Sequence, residues 1–254
     1  MKKLIALAAA ALLLAGCGAS DTAGDQTLRI SAAASLTDVI GELEPVFSES
    51  HPDTELIINY GSSTKLRAQI EQGAPFDLFL SASSEDIGKA VQAGYIDEDT
   101  VVPFAENRLV LVSADRVDGS VGDVLRSADG NIAVGQPDSV PLGAYTKESL
   151  AAAGLWDPLD GRLVYGKDAR QVLTYAESGN ADFGVIYRSD AVISDKVNVV
   201  GELPPGGTPI VYPAGMAEQA ENPDGARDFL QLLTGDQGRQ IIADYGFALP
   251  GGGK

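Results

Sequence analysis

Hydroxyl residues recur in this 254-residue chain where an alternating apolar run stops and a helix-periodic run begins. Leu28, Ile30 and Ala32 alternate with Arg29, Ser31 and Ala33, which suits a short strand. Ser35 follows three alanines, and Leu36, Val39, Ile40 and Leu43 then continue at helical spacing. Ser35 is placed to cap that helix, with Asp38 completing a capping-box-like S-x-x-D. The device returns after Leu56-Ile57-Ile58, where Ser62-Ser63-Thr64 precede a helix over Lys65 to Gln72. It returns again after Phe76 to Leu80, where Ser81 to Ser84 precede a helix over Glu85 to Ala93. Further along, Ile132 to Gly135 leads to Pro141, which fits the first turn of a helix reaching Ala153. Leu163 to Tyr165 leads to Asp168, an N-cap for a helix over Ala169 to Glu177, and Phe183 to Tyr187 is a short buried strand ending in a phenol. A strand that ends in small polar residues at a helix start turns backbone N–H groups outward, at the positive end of the helix dipole. That chemistry suits an anion. One such Ser reads simply as a cap; the repetition points to a shared site.

Other chemistries are weaker. Ser62-Ser63-Thr64-Lys65 is an S-x-x-K, the nucleophile motif of penicillin-binding proteins and class A β-lactamases. The partner motifs S-D-N and K-T-G are absent, and Ser189-Asp190 is followed by Ala191. A serine hydrolase is therefore the competing reading from a different class. No P-loop or G-x-G-x-x-G occurs, so any ATP hydrolysis belongs to another chain. His51, beside Pro52, reads as a solvated loop residue without metal-ligand partners. The single cysteine, Cys17, excludes an intramolecular disulfide.

Strands alternating with helices imply a parallel sheet and an α/β fold, with ligands gathering beyond the carboxyl ends of the strands. Pro45 should kink or stop the first helix. Val101 to Val112 is a long extended stretch placed to cross between lobes, and Val197 to Val200 and Ile210 to Tyr212 are extended again. Two helices close the chain, over Asp224 to Leu233 and Asp236 to Asp244. At the start, Lys2 and Lys3 precede an apolar run from Leu4 to Leu14, too short to span a bilayer and typical of an export signal. The segment 1–17 ends Leu14-Ala15-Gly16-Cys17, like the lipobox cleaved before a lipid-bearing Cys, and 18–26 reads as a polar tether. Net charge is −18; without Lys2 and Lys3, 16 basic residues face 36 acidic ones. This balance excludes a nucleic-acid surface. It does not exclude a local anion site, because surface charge is screened within about 8 Å at physiological salt.

Several stretches together resemble the periplasmic molybdate-binding proteins of ABC importers. They are AAASLTD at 32–38, the run YGSST to GAP at 60–75, DLFLSAS at 77–83, AVGQPDSVPLGAYTKESL at 133–150, KDARQVL at 167–173, GVIYRSDA at 184–191 and YGF at 245–247. The resemblance spans nearly the whole exported chain. It implies a two-lobed α/β fold of the type II periplasmic-binding class, each lobe a mostly parallel sheet flanked by helices and joined by two crossover strands. The lobes would be 26–107 with 207–254, and 108–206. It implies an oxyanion held by the hydroxyls of Ser35, Ser63 and Tyr187 and by the backbone N–H groups of Leu142 and Ala169. Adjacent Ser62 leaves that register open by one, and Leu142 stands where the family often carries a smaller residue. Such a protein would capture molybdate or tungstate, with sulfate as the alternative, and deliver it to a membrane permease served by a separate ATP-binding subunit. It would be a non-enzymatic monomer without cofactor or metal-cation ligands, anchored by lipid on Cys17 to the outer face of the cell membrane.

Overall fold

The computed structural model describes residues 26–127 and 129–251. The export signal, Cys17 and nearly all of the tether lie outside the described residues. Strand β1 (Gln26–Ala33) runs through a 3-10 turn, Ala34–Leu36, into helix α1 (Thr37–Ser50). Then come β2 (Thr54–Gly61), α2 (Ser63–Glu71), β3 (Leu78–Leu80), α3 (Ser84–Gln92) and β4 (Val102–Asn107). The middle of the chain forms β5 (Leu109–Ser113), α4 (Val121–Ser127), β6 (Ile132–Gly135), α5 (Pro141–Ala152) and β7 (Leu163–Gly166). It continues through α6 (Ala169–Glu177), β8 (Phe183–Tyr187), α7 (Arg188–Ile193) and β9 (Asn198–Glu202). β10 (Ile210–Met216), α8 (Pro223–Thr234) and α9 (Asp236–Asp244) close it.

Two five-stranded sheets result, ordered β2-β1-β3-β10-β4 and β7-β6-β8-β5-β9. The α/β architecture read from the sequence is the one observed, and each sheet is mixed. β1 pairs in parallel with β2 and β3, and β6 with β7 and β8, as helix-linked neighbours must. β5 and β10 arrive from an extended crossover rather than through a helix, and both run antiparallel to their neighbours. The chain passes between sheets at Arg108 and again through residues 203–209. Alternation holds in β1, where Leu28 and Ile30 are buried while Thr27 and Arg29 are half-buried. β5 and β8, covered on both faces, are buried along their whole length.

Local expectations shift in three places. α1 does not stop at Pro45. Val39, Ile40, Leu43 and Phe47 are buried on either side of it, and each contributes about 1.5–3 kcal/mol. Together they outweigh the ~3 kcal/mol cost of an interior Pro. His51 is not a solvated loop residue: its ring stacks on Phe47 at 4.1 Å, and Nε2 lies 2.9 Å from Asp228 Oδ2, tying the end of α1 to α8. The helices α4 and α7, with seven and six residues, went unread because apolar periodicity needs a longer window to show.

Candidate functional site

The first turns of several helices meet where the two sheets face each other. At α2, Ser62 is the N-cap, its Oγ accepting from Lys65 N–H at 3.4 Å, while Ser63 opens the helix. At α5, Pro141 occupies the first turn and Val140 provides no side-chain cap. The Leu142 N–H has no acceptor among the described residues. A side-chain carbon on Gly143 would run into the Gly135 carbonyl, so glycine here lets α5 begin directly against the end of β6. At α6, the Asp168 carboxylate accepts from Gln171 N–H at 2.9 Å, the cap expected from sequence. The Ala169 N–H, one residue beyond that cap, is likewise without an acceptor among the described residues. β8 ends in Tyr187, 1% exposed.

Ser35 departs from its expected role. The 3-10 turn starts at Ala34, so Ser35 lies inside the turn, and neither that turn nor α1 has a side-chain cap. Asp38 closes no capping box; its carboxylate pairs with Arg170. Freed from the backbone, the Ser35 hydroxyl turns inward and meets Tyr212 Oη at 3.0 Å.

All five residues singled out from the sequence, Ser35, Ser63, Leu142, Ala169 and Tyr187, line one cavity of about 10 Å³. Gly61, Ala82 and Pro141 are among its other walls, and no charged residue lines it. That volume is about what one water molecule needs. A larger cavity of about 570 Å³ lies against the second crossover, bounded by Tyr145, Glu148 and Thr208, and shares none of the five. Size alone does not mark the site; convergent donors do.

The hydrogen bonds separate the two serines of the α2 turn. Ser62 Oγ donates its proton to the Ser139 carbonyl at 2.7 Å. Ser63 Oγ instead accepts the Ala82 N–H at 2.8 Å, and its own proton has no acceptor among the described residues. The Tyr187 hydroxyl is buried without any partner among the described residues. Burial raises its pKa well above the usual phenol value, so it keeps its proton and has one to donate. The cavity therefore gathers neutral donors: three hydroxyls and two backbone N–H groups at helix starts.

Charge sits behind this wall. Arg170, the second residue of α6, donates from Nε to the Ala34 carbonyl at 3.2 Å and pairs with Asp38, bridging elements of the two sheets. Its Nη1 is 3.9 Å from Oδ1 of Asp190, a buried carboxylate whose oxygens have no hydrogen-bond partner among the described residues. Burial pushes the Asp190 pKa up to about 7, against the pull of Arg170. Lys65 Nζ also bridges, to the Lys167 carbonyl at 3.3 Å, and makes no hydrogen bond to Ser62. The S-x-x-K spacing thus lacks the nucleophile–base contact its chemistry requires.

Sequence reasoning missed Tyr212, Arg170 and Asp190. Arg170 and Asp190 lie within stretches quoted above, but nothing local tells where their side chains reach. Tyr212 has no signal at all: its partner is 177 residues away.

The model of the bacterial extracellular solute-binding protein family matches residues 28–248. A putative ABC transporter substrate-binding lipoprotein, YvgL of Bacillus subtilis, is 41% identical over 249 residues, covering 96% of each chain. The molybdate-binding protein ModA of Haemophilus influenzae is 34% identical over 255 residues, covering 98% of this chain and 99% of its own. Among solved structures, the periplasmic molybdate-binding protein of Azotobacter vinelandii superposes with a TM-score of 0.80 at 27% identity, covering 88% of this chain and 99% of the other. The two mixed sheets, the twice-crossing chain and these matches agree: the chain belongs to the family of bacterial extracellular solute-binding proteins.

Proposed function

We propose that this protein captures molybdate or tungstate between two lobes, residues 26–107 with 207–254 and residues 108–206, and delivers it to an ABC importer. The observation that carries this reading is the buried Tyr187 hydroxyl, without a partner among the described residues, on the same small cavity as the N–H groups of Leu142 and Ala169, likewise without acceptors among them. An unpartnered buried donor costs about 1–3 kcal/mol unless a ligand accepts from it. Donors alone, without any carboxylate in the wall, fit an acceptor-only oxyanion. Each hydrogen bond to such a charged acceptor contributes about 1.5–3 kcal/mol, so no Lys or Arg needs to touch it. The relatives named above, one of them a substrate-binding lipoprotein and another a molybdate-binding protein, support the same assignment. The lipid anchor at Cys17, the external face of the cell membrane, the permease with its separate ATP-binding subunit and a monomeric state belong to this proposal. Titration calorimetry against molybdate, tungstate, sulfate and phosphate tests it. Molybdate and tungstate should bind tightly and phosphate far more weakly; tighter binding of sulfate would reassign the ligand.

A further inference from the structure

We propose that Tyr212 is the positioning residue that makes Ser35 a donor, and that it thereby sets discrimination against protonated oxyanions. This rests on the oxyanion reading of the cavity. Tyr212 Oη and Ser35 Oγ are 3.0 Å apart, and the two residues are 0% and 5% exposed. A serine hydroxyl has one proton and two lone pairs. When Ser35 gives its proton to a ligand, its oxygen is left to accept, and the Tyr212 hydroxyl is the donor within reach. Burial raises the Tyr212 pKa far above the usual phenol value, so that proton is retained at any physiological pH.

The ring that carries it is fixed. Tyr187, Phe104 and Phe247 surround it edge-on, with centroids at 5.8, 6.3 and 5.2 Å. The register of β10 against β4 shifts between Tyr212 and Pro213, an irregularity of the kind that re-aims a side chain. Ser63 is served in the same way from its own side, by the Ala82 N–H at 2.8 Å. With Tyr212 donating to Ser35, each serine oxygen has a donor behind it and its own proton is left for the cavity. At both serines a ligand proton, as in hydrogen phosphate, then meets a proton rather than a lone pair. Chains of this kind also polarise one another, which strengthens the outer donor.

The test compares the wild-type chain with Tyr212→Phe, Ser35→Ala and the double variant, by calorimetry with molybdate and with phosphate. Tyr212→Phe should weaken molybdate binding about fivefold, the value of one neutral hydrogen bond. It should narrow the gap between molybdate and phosphate. The double variant should bind no worse than Ser35→Ala, because Tyr212 acts through Ser35. Losses that add, or unchanged affinity in Tyr212→Phe, overturn the inference. Should Tyr212→Phe not fold, the wild-type core answers the question by NMR of ring-labelled tyrosine. The Tyr212 ζ-carbon should shift on adding molybdate in the wild type and stay still in Ser35→Ala. An equal shift in both overturns the inference. A wild-type chain that binds no oxyanion overturns the oxyanion reading itself, and this assignment with it.

Discussion

Ser62 donates to the Ser139 carbonyl, whereas Ser63 receives the Ala82 N–H, and that difference assigns the free proton to Ser63. Ser63→Ala and Tyr187→Phe should each lower molybdate affinity about ten- to a hundredfold, by leaving one oxygen of a charged ligand without a donor. Ser62→Ala should stay within about tenfold, since it removes a neutral bond between protein groups. Calorimetry of the three variants checks the order; a reversal of Ser62 and Ser63 moves the site by one residue. Asp190 belongs to the same scale. Its folded pKa, raised from 3.8 to about 7 by burial, means that the folded chain holds this proton more tightly than the unfolded chain. The stability this contributes is complete below the unfolded value and is lost as pH rises through about 7. Asp190→Asn removes that titration. Wild type should therefore lose stability relative to the variant between about pH 4 and pH 7, and the two should run parallel above. Denaturant melts across that range measure it, and curves parallel throughout would contradict it.

At the scale of elements, α6 both presents the Ala169 N–H to the cavity and sends Arg170 across to Ala34 and Asp38. Arg170→Ala should weaken molybdate binding by about two- to fivefold, the worth of a partly exposed pair plus one hydrogen bond, with the loss shrinking as salt is added. Lys65→Ala should cost less, because its one bridge is a single long hydrogen bond from an exposed ammonium. Affinity measured at two salt concentrations separates them; equal losses at both would show that the guanidinium charge is not what holds the turn. These elements also mark how far sequence carries. The starts of α5 and α6 were legible because Pro141 and Asp168 are local signals, read from neighbours three residues away. Ser35 was misjudged because a 3-10 turn starting at Ala34 looks, by apolar spacing, like a helix starting at Leu36. β2 extends well beyond the apolar core that announced it, since backbone pairing continues where side chains are exposed; β10 runs on through buried Pro213 to Met216, where a proline and a glycine hide the strand from an apolar pattern. Tyr212 and the reach of Arg170 were illegible, being products of which sheets face each other.

For the whole molecule, the cavity wall is shared between elements of both sheets: Ser35 and Ser63 belong with the first, Leu142, Ala169 and Tyr187 with the second. On the proposed function, a ligand touching both sides would favour the arrangement in which they meet, and its removal would free the two crossovers to act as a hinge. Small-angle scattering should show a smaller radius of gyration with saturating molybdate than without; identical curves would count against closure around the ion.

The strand order of the first sheet has a consequence for how the protein is made. β10 lies between β3 and β4, so β4 has no place in the sheet until residues 210–216 exist. The whole second sheet, 109–202, comes off the ribosome before that keystone. A chain threaded outward from its N-terminus must therefore carry an unfinished first half until its last sixth emerges. Such late, distant pairing slows folding: β1, β2 and β3 can pair early, while β4 waits for its only strand neighbour among the described residues.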